Sequence, residues 1–355
     1  MSVTHEIWMQ TAIEEARKGY GYVSPNPLVG AVVVRDGKIL GKGYHHQCGM
    51  PHAEVEAVRD AESNGYSCEN AEIYVTLEPC STYGRTPPCT ELICSRKFSF
   101  VSIGTLDPNP AHAGRALKIF DEHGIKYEVG VCEKECRDLN RIFFKYITSG
   151  KPYVFLKMGI TLDGKIACAN GCSKFITGAV ARERVQYLRR GFDAIMVGAN
   201  TVRKDVPTLF ARNSDGTLFE RKMLRFIASE SMTRNELERI YGDVDAVGDF
   251  EIVDVSSVEK WDLFLKKLAE RKITSLFIEG GSELAASALN AGIVDRVEFH
   301  VAPKIMGGRD SISAVGGESP LNLDNLCELE NVEVLPLGCD IGICGDLKKC
   351  KQFNY

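Results

Sequence analysis

Three short segments near the start of the chain carry side chains that could bind a metal ion together. They are Pro51-His52-Ala53-Glu54, Glu78-Pro79-Cys80 and Pro87-Pro88-Cys89. One imidazole and two thiolates make a three-ligand zinc set that leaves a fourth position for water. Zinc lowers the pKa of such a water from about 15.7 to about 7 and so provides a nucleophile at neutral pH. The pattern therefore predicts Zn²⁺ bound by His52, Cys80 and Cys89.

A water activated in this way needs a neighbouring group that moves protons, and Glu54 is the candidate. It would act as a base toward the water and later as an acid toward a leaving amine. His52 and Cys89 each follow a proline at a predicted helix start, where the helix N-terminus lowers the pKa of a thiol. Residues two apart point to nearly opposite sides of a regular helix, so the first turn must bring His52 and Glu54 together.

The remaining cysteines are interpreted differently from Cys80 and Cys89. The chain has 13 cysteines, an odd number, so they cannot all pair with one another. In a reducing compartment such residues are packing residues, metal ligands or nucleophiles. We interpret the other 11 as reduced packing residues. Cys339 and Cys344 are a weaker alternative metal pair, because their sequence context is not comparable to that of Cys80 and Cys89.

Length and charge limit the classes of protein that are possible. A chain of 355 residues predicts two domains, and 44% hydrophobic residues are enough for a large core. No apolar segment reaches the roughly 18 residues of a membrane span. The first 20 residues are typical of an amphipathic helix rather than a signal peptide, so we expect a cytoplasmic protein. The net charge of −5 is shared by both halves, which argues against nucleic-acid binding.

The secondary-structure pattern predicts two α/β domains, residues 1–148 and 149–355. In the first, a helix over 5–19 and an Asp36-Gly37 hairpin precede alternating strands and helices, ending in one helix over 133–150. This alternation predicts three layers, α/β/α. In the second, predicted strands lie at 153–157, 193–197, 224–228, 275–279 and 297–301, and predicted helices at 179–190, 261–271 and 282–291. Residues 211–258 have the weakest pattern.

A strand that ends in Glu279-Gly280-Gly281-Ser282 is the clearest motif of the second domain. Backbone N–H groups at the start of the following helix could bind a diphosphate, assisted by the helix dipole. The glycine pair alone is equally consistent with a tight strand–helix turn. Because the chain has no G-x-G-x-x-G motif, a Rossmann domain is not expected.

The first domain resembles the cytidine-deaminase-like zinc fold, whose signature is H-x-E with P-C-x-x-C. Eight residues rather than two separate Cys80 from Cys89, as in the pyrimidine deaminases of riboflavin biosynthesis. Matches to that family also occur at residues 25–30, 43–45 and 107–110. The resemblance implies substrate binding by Asn26 and His45. Thr82 stands where the family usually has histidine.

The second domain, from about residue 151 to 308, resembles the reductase domain of the same pathway, which has a dihydrofolate-reductase-like fold. The resemblance implies NADPH as cofactor, lined by Gly159, Phe175, Thr201, Asp205, Gly281, Ser282, Glu283 and Leu284. It implies a substrate site lined by Ser173, Arg189, Leu209, Arg212 and Glu279. The arginines suit a phosphorylated substrate, because guanidinium binds phosphate in a bidentate manner, although both could equally be surface charges. Val206 replaces the family's usual aspartate.

Together the two halves are similar to the bifunctional enzymes of riboflavin biosynthesis, which implies two consecutive reactions. The first is hydrolytic deamination of 2,5-diamino-6-ribosylamino-4(3H)-pyrimidinone 5′-phosphate. The second is NADPH-dependent reduction of 5-amino-6-(5-phosphoribosylamino)uracil to the ribitylamino product, with Asp205 as a candidate proton source. The expected partners are these phosphorylated pyrimidines, with no nucleic acid and no membrane. The resemblance also implies a homo-oligomer formed through the reductase domain.

Three alternative functions remain open at the level of the residues. One is a zinc deaminase of another nucleobase or nucleoside with an inactive second domain, which NADPH binding would distinguish. Another is a tRNA-editing deaminase, which the acidic charge balance disfavours. The third is a metabolite-binding regulator without catalysis, which ammonia release would exclude.

Overall fold

The computed structural model describes residues 3–83, 87–110, 112–242 and 250–348. The chain divides into two compact units, Met1–Gly150 and Lys151–Tyr355. Gly150 ends the last helix of the first unit in the left-handed conformation, with φ 66°, which glycine adopts without steric cost. No helix among the described residues is both long and apolar enough to cross a membrane.

The first unit alternates helices and strands around one sheet. Its elements are α1 (Val3–Arg17), β1 (Gly30–Arg35), β2 (Lys38–Tyr44), α2 (Ala53–Ser63), β3 (Glu72–Leu77), α3 (Cys89–Ser95), β4 (Phe100–Thr105), α4 (Arg115–Glu122), β5 (Lys126–Val129), α5 (Glu133–Leu139) and α6 (Arg141–Ser149). The five strands lie in the order β2-β1-β3-β4-β5. β1 is antiparallel to both neighbours, whereas β3, β4 and β5 are parallel.

Alternating side chains of the strands build a hydrophobic core on each face of this sheet. Ala31 and Val33 of β1 pack with residues of α2, α3 and α4. Val32 and Val34 point to the opposite face and pack with residues of α1 and α5. The predicted three-layer α/β/α architecture is therefore confirmed.

Glycines allow the helices to approach the sheet very closely. A Cβ atom at Gly30 would lie 2.0 Å from the carbonyl oxygen of Ala12 in α1. A Cβ atom at Gly43 would lie 2.3 Å from the backbone nitrogen of Ala57 in α2. Because real Cβ atoms never come this close, only glycine at this position permits α2 to lie so near β2.

The prediction of a single helix over residues 133–150 is wrong, because α5 and α6 are separated at Asn140. Asn140 is 2% exposed, and its side-chain amide pairs with both backbone groups of Leu28. Its Oδ1 accepts from the Leu28 N–H at 2.7 Å, and its Nδ2 donates to the Leu28 carbonyl at 2.9 Å. This long-range pair satisfies buried backbone groups that lie just before β1.

The second unit is larger and its sheet is mostly parallel. Its elements are β6 (Tyr153–Thr161), β7 (Lys165–Ala167), α7 (Ala179–Arg190), β8 (Ala194–Gly198), α8 (Ala199–Asp205), β9 (Leu224–Ala228), α9 (Arg234–Tyr241), β10 (Phe250–Val253), α10 (Val258–Glu270), β11 (Ser275–Glu279), α11 (Ser282–Asn290), β12 (Arg296–Ala302), β13 (Ile312–Ser313), a 3-10 turn (Leu323–Asn325), β14 (Leu329–Leu337) and β15 (Asp340–Leu347). Eight strands form one sheet in the order β10-β9-β8-β11-β6-β12-β15-β14. The strands from β10 to β12 are parallel, and β15 and β14 add antiparallel edges.

One face of this sheet packs against α10 and α11. Trp261 of α10 and Leu284 of α11 join Leu156 and Ile278 of the central strands in one core. The weakly patterned segment 211–258 contains β9, α9 and β10. The sequence pattern missed α8, because its seven residues, ANTVRKD, are too few and too polar to show a helical apolar period.

We expect Asn140→Ala to lower the free energy of unfolding of the first unit by about 2–5 kcal/mol, because two buried backbone groups of Leu28 lose their partners. The chain has two tryptophans, so Trp8 fluorescence in a Trp261→Phe background reports on this unit during urea unfolding. Asn64→Ala is the control, because its amide donates only to the exposed Asp60. Equal changes in both variants would contradict this account of Asn140.

Candidate active sites

His52, Cys80 and Cys89 come together in the first unit. One ligand atom from each side chain lies within 4.8 Å of the other two. Nδ1 of His52 is 3.5 Å from Sγ of Cys80 and 3.4 Å from Sγ of Cys89. The backbone N–H of Cys89 also donates to Sγ of Cys80 at 3.2 Å. The three predicted zinc ligands therefore form one compact donor set.

The backbone at the start of α2 resolves the conflict between His52 and Glu54. His52 is the N-cap residue, with φ −77° and ψ 165°, so its backbone is extended rather than helical. Glu54 is the second residue of the helix. Because the two residues are not both helical, their side chains need not point to opposite sides. Cys89 is likewise the first residue of α3, after Pro88 at the N-cap.

Glu54 is buried beside the donor set, with 3% of its surface exposed. Its Oε2 atom has no hydrogen-bond partner among the described residues. Burial, and then the charge of Cys80, raise the pKa of Glu54 to about 7. A carboxyl group with this pKa can both accept and release a proton near neutral pH.

Hydrogen bonds between the three donors shift their pKa values, and the shift of Cys80 favours its thiolate form. Hydrogen bonding from Cys89, supported by His52, lowers the pKa of Cys80 to about 4 despite burial. Hydrogen bonding to Cys80 raises the pKa of His52 to about 9. Hydrogen bonding to Cys80, together with burial, raises the pKa of Cys89. One imidazole and two sulfurs are a donor set that fits zinc with one open position, and the buried, unpartnered carboxylate oxygen of Glu54 lies beside this set.

Asn26 and His45 lie next to this set. Nδ1 of His45 is 3.0 Å from the carbonyl oxygen of Pro51, so this nitrogen carries the proton. Nε2 of His45 then accepts from the side-chain amide of Asn26 at 3.0 Å. Burial lowers the pKa of His45, which keeps the ring neutral. The His45 ring meets the His52 ring edge-on, with centroids 5.5 Å apart.

The second unit contains a cavity of about 1460 Å³. It opens at the carboxyl ends of β6, β8, β9 and β11, which is the usual ligand-binding edge of a parallel sheet. All of the predicted NADPH residues line it, namely Gly159, Phe175, Thr201, Asp205, Gly281, Ser282, Glu283 and Leu284. Gly280 and Gly281 have φ of 75° and 92°, which requires glycine at the turn into α11.

Four of the five predicted substrate residues of this unit also line the cavity: Ser173, Arg189, Leu209 and Glu279. Nη2 of Arg189 is 2.7 Å from Oε2 of Glu279. Oγ of Ser173 donates to the Asp205 carboxylate at 3.1 Å. Arg212 does not line the cavity; it is exposed, and its guanidinium donates to the Gly216 carbonyl at 3.0 Å.

Lys157 was not predicted from the sequence, although it lines the same cavity. It lies on β6 and is 7% exposed. Burial lowers the pKa of Lys157, opposed by the charge of Glu279. Burial alone would raise the pKa of Glu279, but the charges of Arg189 and Lys157 lower it. One sequence feature could have identified Lys157 as a buried cavity residue. It is a lysine at the end of a predicted buried strand, YVFLK, whose other residues are apolar or aromatic.

Only some of the other cysteines are packing residues. None of the twelve cysteines in the described part of the chain forms a disulfide bond. Cys48, Cys168, Cys172 and Cys339 are exposed, so the packing interpretation is wrong for these four. Cys344 is buried and accepts from Nη2 of Arg296 at 3.3 Å, so it belongs to an ion-pair cluster rather than to a metal pair.

Comparison with protein families identifies the class of each unit. Residues 2–105 match the cytidine and deoxycytidylate deaminase zinc-binding region. Residues 152–343 match the RibD C-terminal domain. The chain is therefore a two-unit enzyme in which a zinc-binding deaminase unit precedes a reductase unit.

Relatives match almost the whole chain. The riboflavin biosynthesis protein RibD of Actinobacillus pleuropneumoniae is 39% identical over 353 residues, which covers 94% of this chain and 93% of that protein. The structure of Acinetobacter baumannii RibD, form 1, superposes with a TM-score of 0.83 at 32% identity and covers 97% of this chain and 99% of that one. The chain belongs to the RibD family of bifunctional riboflavin biosynthesis enzymes.

A third relative has a descriptive name. It is the Thermotoga maritima diaminohydroxyphosphoribosylaminopyrimidine deaminase/5-amino-6-(5-phosphoribosylamino)uracil reductase, whose structure matches with a TM-score of 0.80 and 34% identity over 98% of this chain and 99% of that one. The predicted fold class and the predicted pair of activities are confirmed by these matches. The alternative of a deaminase with an inactive second domain is not supported.

We expect Cys80→Ala and Cys89→Ala each to lose the zinc ion, because two remaining ligands bind it too weakly. Zinc content of the purified chain, measured by atomic absorption, should fall from about one ion per chain to near zero. Cys68→Ala is the control, because Cys68 is buried in the hydrophobic core and does not belong to the donor set. Full zinc content in either ligand variant would contradict the assignment.

Proposed function

We propose that the chain catalyses two consecutive reactions of riboflavin biosynthesis, one in each unit. The first unit deaminates 2,5-diamino-6-ribosylamino-4(3H)-pyrimidinone 5′-phosphate. The second reduces 5-amino-6-(5-phosphoribosylamino)uracil to the ribitylamino product with NADPH. The single observation that carries the proposal is the buried, unpartnered carboxylate oxygen of Glu54 beside the histidine and the two cysteines.

In the first unit, His52, Cys80 and Cys89 hold the zinc ion, which when bound lowers the pKa of water and so supplies a nucleophile. Glu54 takes the proton from that water and returns a proton to the leaving amine. Its pKa of about 7 supports both transfers. Its burial excludes competing solvent from the proton path.

Asn26 and His45 orient the pyrimidine in the first unit. The hydrogen bond between them and the contact of His45 with the Pro51 carbonyl hold both side chains in fixed positions beside His52. At the position where the family usually has histidine, Thr82 has a shorter polar side chain.

In the second unit, NADPH supplies the hydride to C1′ of the sugar when it is bound. The turn at Gly280-Gly281 leads into α11, whose N–H groups and dipole favour the diphosphate. Glu279 and Arg189 hold one another in a fixed orientation at the wall of the cavity. Arg189, which lines the cavity, is the first proposed phosphate-binding residue, and Arg212, which is exposed and outside the cavity lining, is the second.

Opening of the sugar ring requires a proton at the ring oxygen, and two groups of the cavity can supply it. Asp205 is held by Ser173 at the end of α8. Lys157 is buried in the cavity wall, and burial lowers its pKa, which makes release of a proton easier than from an exposed lysine. We therefore add Lys157 to Asp205 as a candidate proton source.

Three further properties belong to the proposal. We expect the chain to act in the cytoplasm, to bind no nucleic acid, and to form a homo-oligomer through the second unit. Size-exclusion chromatography of the whole chain and of a Lys151–Tyr355 fragment would test the last of these.

We expect Glu54→Gln to reduce deamination by about 10²–10⁴-fold, because the amide cannot carry the proton. Zinc content and reduction of the deaminated substrate should be unchanged. Glu56→Gln is the matched control, because Glu56 lies in the same helix and pairs with Arg59 at 3.0 Å. Normal deamination by Glu54→Gln would remove Glu54 from the mechanism, and loss of zinc would make its role structural.

We expect Arg212→Ala to raise the reductase KM for the phosphorylated uracil by about 10-fold or more with little change in kcat, because a phosphate is bound equally in ground and transition states. Arg271→Ala is the control, because Arg271 pairs with the exposed Glu251. An unchanged KM would remove Arg212 from the substrate site and leave Arg189 as its phosphate ligand.

A further inference from the structure

Glu78 is a buried carboxylate two residues before the metal ligand Cys80. It follows β3 directly and is 5% exposed. Its backbone N–H donates to the carbonyl of Thr105 at the end of β4, at 2.9 Å. Glu78 therefore extends the contact between β3 and β4 by one residue, up to the turn that carries Cys80.

The side chain of Glu78 accepts three backbone hydrogen bonds from the chain that follows β4. Its Oε2 accepts from the N–H of Asp107 at 3.2 Å and from the N–H of Gly114 at 3.0 Å. Its Oε1 accepts from the N–H of Ala116 at 3.1 Å. The three hydrogen bonds therefore use both carboxylate oxygens of Glu78.

Two of these donors belong to the start of α4. Gly114 is the N-cap of α4 and has no side chain that could cap the helix itself. The first N–H groups of a helix need external acceptors, and a carboxylate there is also stabilised by the helix dipole. Glu78 thus caps α4 from a different segment of the chain.

The turn at Cys80 is fixed on its other side by α3. The carbonyl of Cys80 accepts from the N–H of Thr90 at 3.2 Å and from its Oγ1 at 3.3 Å. We infer that Glu78 is a positioning residue for the deaminase: it joins the Cys80 turn to α4, so that Cys80 is held between α3 and α4.

The same carboxylate also holds a segment that carries two polar side chains. One is Asp107, whose Oδ1 accepts from the N–H of Asn109 at 2.8 Å. The other is His112, whose Nδ1 is buried and has no hydrogen-bond partner among the described residues. Loss of the Glu78 contacts would therefore also release the segment that carries these two groups.

Glu78→Gln tests this inference, because the amide keeps the shape but has only one acceptor oxygen. We expect it to retain the metal and to lower the deaminase kcat by about 10–100-fold, the usual effect of a small misplacement. In the cobalt-substituted chain, the sulfur-to-cobalt and d–d absorption bands should shift, because the geometry at Cys80 changes. Reduction of the uracil substrate by the second unit should be unchanged.

Glu15→Gln is the matched control. Glu15 is also 5% exposed and pairs with Lys18 at 2.5 Å and Lys42 at 3.2 Å. It lies on α1, which packs on the sheet face opposite α2. This variant should lower the unfolding temperature of the first unit without shifting the cobalt bands or the deaminase kcat. Trp8 fluorescence would show whether Glu78→Gln folds. If it does not, Glu78→Asp is the second variant, because it keeps both carboxylate oxygens on a side chain that is one methylene shorter. It should show the same shift of the cobalt bands.

The inference rests on the proposed zinc site, and the outcomes separate the two. A wild-type chain that binds no cobalt would overturn both. A Glu78→Gln variant that loses stability as Glu15→Gln does, but keeps wild-type cobalt bands and kcat, would overturn the positioning role alone and leave the zinc site intact.

Discussion

The extended backbone of His52 is the constraint on which the first active site depends. If His52 continued α2 as a helical residue, its ring and the carboxylate of Glu54 would point to nearly opposite sides. As the N-cap, His52 joins Cys80 and Cys89 while Glu54 enters from the first helical turn. Gly43 of β2 allows this first turn to pack directly on the strand. The helix that carries Glu54 is thus held against the sheet by a contact that only glycine permits.

Both units place their reactive groups where parallel strands end. Glu78 and Cys80 follow β3, whereas Glu279 is the last residue of β11 and Gly280 follows it. At these positions the backbone leaves the sheet and a helix N-terminus begins nearby, so N–H groups and side chains converge. Burial then changes the acid–base properties of the groups that have too few partners. Burial raises the pKa of Glu54 to about 7 and lowers that of Lys157.

The chemistry was predictable from residue types and spacing because metal ligands follow strict rules. Two prolines, two cysteines and an H-x-E segment were enough to identify one donor set. What could not be predicted depends on contacts between distant segments. The break at Asn140 needs Leu28, and the burial of Lys157 needs the neighbouring strands of the sheet. Exposure of Cys168 and Cys172 likewise depends on a loop whose position the local sequence does not determine.

If two independent sites act in a fixed order, removal of the metal should stop the first reaction and leave the second site competent. The chelator-treated chain would be incubated with the diaminopyrimidine and NADPH while ammonia and NADPH are followed separately, and then given the deaminated uracil. With the diaminopyrimidine, we expect neither ammonia release nor NADPH oxidation. With the deaminated uracil, we expect NADPH oxidation at the rate of the untreated chain. Addition of Zn²⁺ should restore ammonia release and NADPH oxidation with the diaminopyrimidine. Oxidation of NADPH without release of ammonia, or loss of both activities on chelation, would contradict the independent action of the two sites in that order.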